Sequence, residues 1–366
     1  MGFMSKVYFA SAKMNALRAD ASLPAKFKRT LANFPLKGMF EGKTVAIKMH
    51  LGGHFGYTTI PPIFVRMLIQ EIKDAGGRPF VTDGAGAIPG AKTRGYTEET
   101  LGARLVDAAG HNERYFVTVP IDYLSLEGVR LCGEIASADA MVVLSHGKGH
   151  GQCGWGGAIK NVAMGCVTSK SRGDIHVLID TEFEWDSELC VHCYLCRDNC
   201  PAGAVAFDKQ DRLSINLHNC RYCMHCVNSC PQSAIKINEE GIRQFQVGMA
   251  RVTRACLDTF EPGRVLFINH VCSVTPFCDC WGFSSPAIVP DVGIFAGDDI
   301  VAVEQASIDS VKTENYIEGS LPHPLEVRDV PGHLFEKIHG KDPYLQCEEA
   351  ARIGLGDQRY EMSEVG

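Results

Sequence analysis

Apolar residues in the first 180 positions fall into short runs separated by stretches of helical spacing. The runs at 45–49, 80–82, 116–121, 140–145 and 176–179 have strand length and are built largely from Val, Ile, Phe and Leu, side chains that suit a buried or half-buried pleated surface. Between the first two, residues 62–75 carry Phe64, Leu68, Ile69 and Ile72 on one helical face, with Gly76 and Gly77 as a stop. Residues 97–109 place Leu101, Leu105 and Ala108 at helical spacing and predict a further helix. Residues 242–260 repeat the pattern, with Ile242, Phe245, Met249, Val252 and Cys256 on one stripe. Residues 264–269 read as a strand and 298–311 as a turn leading into a helix. Such alternation predicts an α/β fold: a mostly parallel sheet with helices on both faces. The last thirty residues are polar and weakly periodic, and predict no element.

The middle of the chain follows different rules. Cys190, Cys193, Cys196 and Cys200 precede Pro201, and the pattern recurs thirty positions on as Cys220, Cys223, Cys226 and Cys230 before Pro231. Each copy reads C-x2-C-x2-C-x3-C-P, the ligand run of proteins that hold two [4Fe–4S] clusters, in which the fourth cysteine of each run serves the other cluster. The expected ligand sets are therefore Cys190, Cys193, Cys196 and Cys230 for one cluster, and Cys200, Cys220, Cys223 and Cys226 for the other. A zinc ribbon also uses C-x2-C pairs, but it needs four ligands in all and leaves half of these unexplained. The segment resembles bacterial two-cluster ferredoxins, small α+β domains. The expected organisation is an α/β domain in two segments, 1–180 and 242–366, interrupted by a ferredoxin-like insert at 181–241; a separate third domain after the insert is the alternative.

Composition narrows the setting. Sixteen cysteines, with no apolar signal-peptide core at the N-terminus, read as metal or redox chemistry in a reducing cytoplasm rather than as disulfides. Oxygen-sensitive clusters point further to an anaerobe. A net charge of −7 without a basic run argues against a nucleic-acid partner. No stretch reaches eighteen apolar residues, so no membrane span is expected.

Ligands of open parallel sheets sit outside the carboxyl ends of the strands, and those ends carry a distinctive set here. Lys48 and His50 end the first strand, Asp83 the second, His146 the fourth, Asp180 the fifth and His270 the one after the insert. Any one of these histidines also has a plain reading as a hydrogen-bonded structural residue; the set together makes Lys48, His50, His146 and His270 candidates for proton transfer or metal binding. The segment Ser145 to Gly157, SHGKGHGQCGWGG, contains six glycines and runs into an apparent helix start at Gly156-Gly157-Ala158-Ile159-Lys160-Asn161. A helix N-terminus behind a glycine loop is an anion site, which Lys160 would strengthen and Gly156, Gly157 and Asn161 would help to line together with Asp83. G-x4-G-K-[ST] is absent, so this is not a P-loop, and the absence of G-x-G-x-x-G after the first strand argues against a Rossmann dinucleotide site. Cys278 and Cys280, in Cys278-Asp279-Cys280, form a poor cubane run but a candidate extra metal site.

Four stretches, in order along the chain, carry a resemblance: Val45-Ala46-Ile47-Lys48-Met49-His50-Leu51-Gly52; Thr82-Asp83-Gly84; Gly156 to Asn161 with Met164-Gly165-Cys166; and Cys278-Asp279-Cys280 with Asp291-Val292-Gly293-Ile294. Together they resemble the DUF362 family of iron–sulfur-associated bacterial and archaeal proteins. The likeness implies that the strand-end lysine and histidine, the Lys160-Asn161 pair and the C-D-C element share one site. Family members often continue the Thr-Asp pair with polar residues, whereas this chain has Gly84-Ala85-Gly86-Ala87.

The expected function is an iron–sulfur oxidoreductase that relays low-potential electrons through two [4Fe–4S] clusters to a substrate, cofactor or metal in the α/β crevice. A flavin or an additional metal ion would be the two-electron site, a small anionic molecule the substrate and a redox protein the electron partner. An electron carrier or accessory subunit without chemistry of its own, and a metal or cofactor maturation factor, are the alternatives.

Overall fold

A computed structural model of the chain describes residues 4–179, 183–200, 203–215, 224–236, 239–322 and 325–366. Strands on either side of the cysteine-rich middle build a single eight-stranded sheet: β1 (Ser5–Ser11), β2 (Thr44–Met49), β3 (Arg78–Asp83), β4 (Leu105–Asp107), β5 (Ala140–His146), β6 (Val265–Val271), β7 (Gly293–Gly297) and β8 (Tyr360–Glu364). Their order is β8-β1-β7-β6-β5-β2-β3-β4. Neighbours are parallel except β7, which runs against both β1 and β6.

Period-two alternation divides the strand residues between two apolar layers. In β2, Val45, Ile47 and Met49 join Phe27 and Leu31 of α1 (Leu23–Leu31) and Phe64, Leu68 and Ile72 of α2 (Pro62–Asp74). Ala46 packs on the other face, in the layer of α3 (Ala158–Gly165), α5 (Glu239–Leu257), α6 (Ile300–Asp309) and α7 (Leu345–Arg352). A sheet covered on both sides is the expected setting for parallel strands. Among the described residues no helix is long and apolar enough to cross a membrane.

Three local expectations fail for identifiable reasons. Residues 176–179 lie at the end of α4 (Ser169–Val177) and in the turn after it, not in a strand; a short apolar run alone does not separate strand from buried helix. Asp180, expected to end that strand, lies outside the described residues. Residues 97–109 form only the turn Glu98–Leu101 before Gly102, at φ +81°, ends it, a left-handed cap that glycine adopts without strain; Leu105–Asp107 then joins the sheet as β4. The polar tail does build structure: β8 pairs in parallel with β1, Ser5 opposite Tyr360. Residues 116–121 do form a strand, Phe116–Tyr123, but it pairs with Leu126–Cys132 as a hairpin outside the main sheet.

The middle segment is an internal duplication in its described parts. One-turn helices Leu195–Asp198 and His225–Asn228 each follow a left-handed residue, Tyr194 at φ 58° and Met224 at φ 60°. Two short strand pairs accompany them, Glu184–Trp185 with Ile235–Lys236 and Val205–Phe207 with Leu213–Ile215. Val205, Leu213 and Ile235 belong to the same apolar layer as α5. At both ends of the segment the chain is held by helix packing: His176 of α4 stacks on Phe245 of α5, with ring centroids 5.3 Å apart.

The reversed strand β7 depends on one backbone conformation. Gly293 has φ +147°, and a Cβ there would lie 2.1 Å from the Ala10 carbonyl oxygen of β1. Gly293→Ala is expected to destabilise the fold by about 1–3 kcal/mol, read as a lower denaturant midpoint; an unchanged midpoint would contradict this account of the pairing.

Candidate functional site

The carboxyl ends of β2, β3 and β5 open onto a cavity of about 330 Å³, closed on the far side by α3, by the glycine loop before it and by the C-D-C segment. Its walls hold two buried charge networks.

The first network joins β2, β3 and α3. Lys48, fully buried, donates to Asp83 Oδ1 at 2.9 Å and to Asn161 Oδ1 at 2.7 Å. Asn161 is held in turn by its amide nitrogen, which donates to the carbonyls of Lys48 and Leu144 and to Ser145 Oγ. Asp83 also accepts from the Leu51 and Gly84 backbone N–H groups, and its Oδ2 lies 3.1 Å from His50 Nδ1. Burial opposes the Asp83 charge, but the Lys48 and His50 charges outweigh it and hold the carboxyl well below the usual carboxylate range. Burial likewise disfavours the His50 imidazolium, yet the Asp83 charge and hydrogen bond prevail and raise its pKa.

The second network fixes the C-D-C segment. Asp279, between the two cysteines, is buried, and its Oδ2 accepts from Lys148 Nζ at 2.9 Å and lies 2.9 Å from His146 Nδ1. The other His146 nitrogen sits 2.9 Å from the Cys272 carbonyl. Burial works against the Asp279 charge as well, and Lys148 and His146 overcome it and lower its pKa. Beside this network, His150, Cys278 and Cys280 bring their ligand atoms within 4.8 Å of one another, a cluster that can hold a metal ion. Lys160 Nζ is 3.5 Å from Cys278 Sγ. Burial disfavours its charge, and the two sulfurs more than compensate, raising its pKa.

The structure therefore gathers Lys48, His50, Asp83, His146, Gly156, Gly157, Lys160, Asn161, Cys278 and Cys280 around one cavity. Two expected roles change. The helix start at Gly157 is already filled by the chain itself: the Ala158 and Ile159 N–H groups donate to the Glu304 carboxylate at 2.9 and 3.1 Å, and Asn269 donates to the same group. A Cβ on Gly157 would lie 2.2 Å from Glu304 Oε2, so the glycine there admits an internal carboxylate. His270 does not line the cavity; it is buried, stacks edge-on against Phe64, and has no hydrogen-bond partner for either ring nitrogen among the described residues.

Sequence reasoning missed Lys148, Glu304 and Arg172 as parts of this region; it weighed His150 only as a metal partner of His146 on a helical turn, and Asp279 only as part of the C-D-C element. Lys148 and His150 sat in plain view within the glycine loop, where no periodicity orients a side chain. Arg172 of α4 lines the cavity beside Gly84, and the one hydrogen bond of its guanidinium among the described residues is to Ser169 Oγ.

In the middle segment, Cys190, Cys193, Cys196 and Cys230 line one small apolar pocket with Val191, Phe207, Leu213 and Ile235. The Ala204 and Ala234 N–H groups donate to Cys200 Sγ at 3.2 Å and Cys230 Sγ at 3.3 Å, thirty positions apart like the cysteines they serve. Cys226 is buried, while Cys220 and Cys223 lie outside the described residues.

His270 gives the site region a pH signature. Burial, with the nearby His146 charge, pushes its pKa down to about 3, below the roughly 6.5 of an unfolded histidine. The unfolded chain binds a proton that the fold refuses, so this group's stability is complete above about pH 6.5 and declines as pH falls toward 3, by about 1.4 kcal/mol per pH unit. His270→Met is expected to flatten the dependence of the denaturation midpoint on pH over that window. A slope equal to that of the wild-type protein would contradict the assignment.

Comparison with known proteins gives one family. Residues 45–309 match the family described as Domain of unknown function (DUF362). A search of curated proteins finds no match. Among solved structures, the lactate racemase apoprotein from Thermoanaerobacterium thermosaccharolyticum is similar at a TM-score of 0.36 and 13% identity, covering 73% of this chain and 51% of that one. The chain thus spans about half the length of that structure. With the family match running through β2, the cavity, the cysteine-rich middle and the C-D-C segment, the chain belongs to the DUF362 family.

Proposed function

We propose that this chain is an iron–sulfur oxidoreductase, with residues 181–241 as a two-cluster insert that serves the α/β cavity. The carrying observation is the pocket shared by Cys190, Cys193, Cys196 and Cys230. Three of these belong to the first cysteine run and the fourth to the second, the cross-run set that two-cluster ligation demands. A zinc ribbon gives no reason for this exchange of the fourth ligand. The apolar wall and the N–H groups directed at sulfur suit a cluster, since burial and hydrogen bonds to sulfur set its potential. When bound, two such clusters supply single electrons of low potential.

The chain's own residues then define what receives them. Both ends of the insert attach where α4 meets α5, and α4 also contributes Arg172 and His176 to the cavity wall. A bare electron carrier has no use for two buried lysine–carboxylate networks around a cavity, which favours chemistry there over carriage alone. Lys48 and Asn161 are committed to Asp83 and to the backbone, so they hold His50 in place rather than bind substrate. Glu304 fills the helix terminus, and Lys160 faces Cys278. Arg172 is the guanidinium left to receive a carboxylate or phosphate at the cavity wall. A redox protein would deliver the electrons at the exposed face of the insert.

Anaerobic reconstitution tests the insert. About eight irons and eight sulfides per chain are expected for two clusters. Cys193→Ser should remove one cluster and Cys223→Ser the other, each lowering iron by about half. Zinc without iron or acid-labile sulfide in the wild-type protein would contradict the proposal.

A further inference from the structure

We propose that Cys278, Cys280 and His150 hold a third metal ion, a borderline-soft divalent cation of the zinc class, with one coordination position open to the cavity on the side of His50. The inference rests on the cavity being the reacting site, but not on the clusters.

Spacing is the first argument. Tetrahedral coordination with bonds of about 2.0–2.3 Å places donor atoms roughly 3.3–3.8 Å apart. Cys280 Sγ lies 3.8 Å from His150 Nε2, and the three donors together fall within 4.8 Å. Closing on an ion therefore needs side-chain adjustments of no more than about an ångström. Two thiolates and one imidazole are too few for a cubane. With an open fourth position they form a donor set that zinc uses in catalytic sites.

Rigidity is the second. A C-x-C pair would swing freely on an ordinary loop, but here the intervening Asp279 is anchored on Lys148 and His146. The Cys280 N–H donates to Cys278 Sγ at 3.4 Å, and the following Gly282 carbonyl accepts from the Phe55 N–H at 2.8 Å, tying the segment to the loop after β2. On the other side, His150 Nδ1 is occupied by the Gln152 N–H at 3.1 Å and lies 3.3 Å from Cys153 Sγ, which directs Nε2 toward Cys280. These contacts are the outer supports that ligands of a metal site require.

Charge and vacancy complete the case. Two thiolates neutralise a divalent ion, and Lys160 Nζ lies 3.5 Å from Cys278 Sγ, a cation beside the sulfur pair. His50 has Asp83 on Nδ1, while its buried Nε2 makes no hydrogen bond of ordinary length among the described residues, and the Cys278 sulfur is the further group that acts on the ring. A histidine held at one nitrogen and without an ordinary hydrogen bond at the other is set to take a proton from whatever group occupies the open position. Cys278, His50 and Asp83 also lie in the order of a thiol nucleophile with its base and orienting carboxylate. That reading gives no task to Cys280 and His150, which the metal reading uses.

The test uses the full chain with its clusters reconstituted, exposed anaerobically to Zn2+ and desalted. One zinc per chain is expected beyond the iron, and zinc-edge absorption should fit two sulfur and two lighter neighbours. Cys280→Ser and His150→Ala should each lose the zinc at unchanged iron and sulfide, whereas His50→Ala should retain it. A second measurement needs no variant: Cys280 is the exposed member of the trio, and zinc should slow its alkylation, followed by peptide mass mapping, at least about tenfold. The proposal is overturned if the wild-type protein retains no zinc, if zinc leaves the alkylation rate unchanged, or if His50→Ala loses the ion and so shows the fourth position filled. Iron and sulfide measured on the same sample report the clusters separately, so failure of the insert and failure of this site are distinguishable.

Discussion

Two buried carboxylates, Asp83 and Asp279, each paired with a buried lysine, are the constraint from which the cavity follows. Lys48 and Lys148 sit where solvent cannot screen or solvate them. Removing one member of such a pair typically costs about 3–5 kcal/mol, because the remaining charge is stranded. Each carboxylate also fixes a histidine and a stretch of backbone: Asp83 the start of the loop after β2, Asp279 the segment between the cysteines. Polar groups are thereby locked at one edge of an otherwise apolar, two-sided fold, as a preorganised site requires.

How much of this was legible depends on periodicity. Lys48, His50 and Asp83 could be placed because they end parallel strands, and parallel strands bring their carboxyl ends to one edge. Asn161 followed from the helix start after the glycine loop. Lys148, His150 and Asp279 could not be placed in the same way, since a glycine loop and a one-turn segment have no period to orient side chains. Glu304 was harder still. It lies within an apolar helix, where its role is set by Gly157, about 150 positions earlier in the chain. β8 escaped notice for a similar reason, because a polar edge strand is defined only by its distant partner β1.

The cysteine-rich middle was the reverse case. Its cysteine spacing is local and repeats, so the sequence carried nearly the whole expectation, and the described structure adds the convergence of Cys230 with the first run. Stacking of His176 on Phe245 ties the cavity wall to the helix that follows the cysteine-rich middle. One family match, over residues 45–309, runs across both parts.

Anomalous diffraction from anaerobically grown crystals, recorded at the iron and zinc edges, tests the account most directly. The account expects iron beside Cys190, Cys193, Cys196 and Cys230, and a single zinc between His150, Cys278 and Cys280. Zinc in place of iron among the first four cysteines, with no metal at the C-D-C segment, would contradict it.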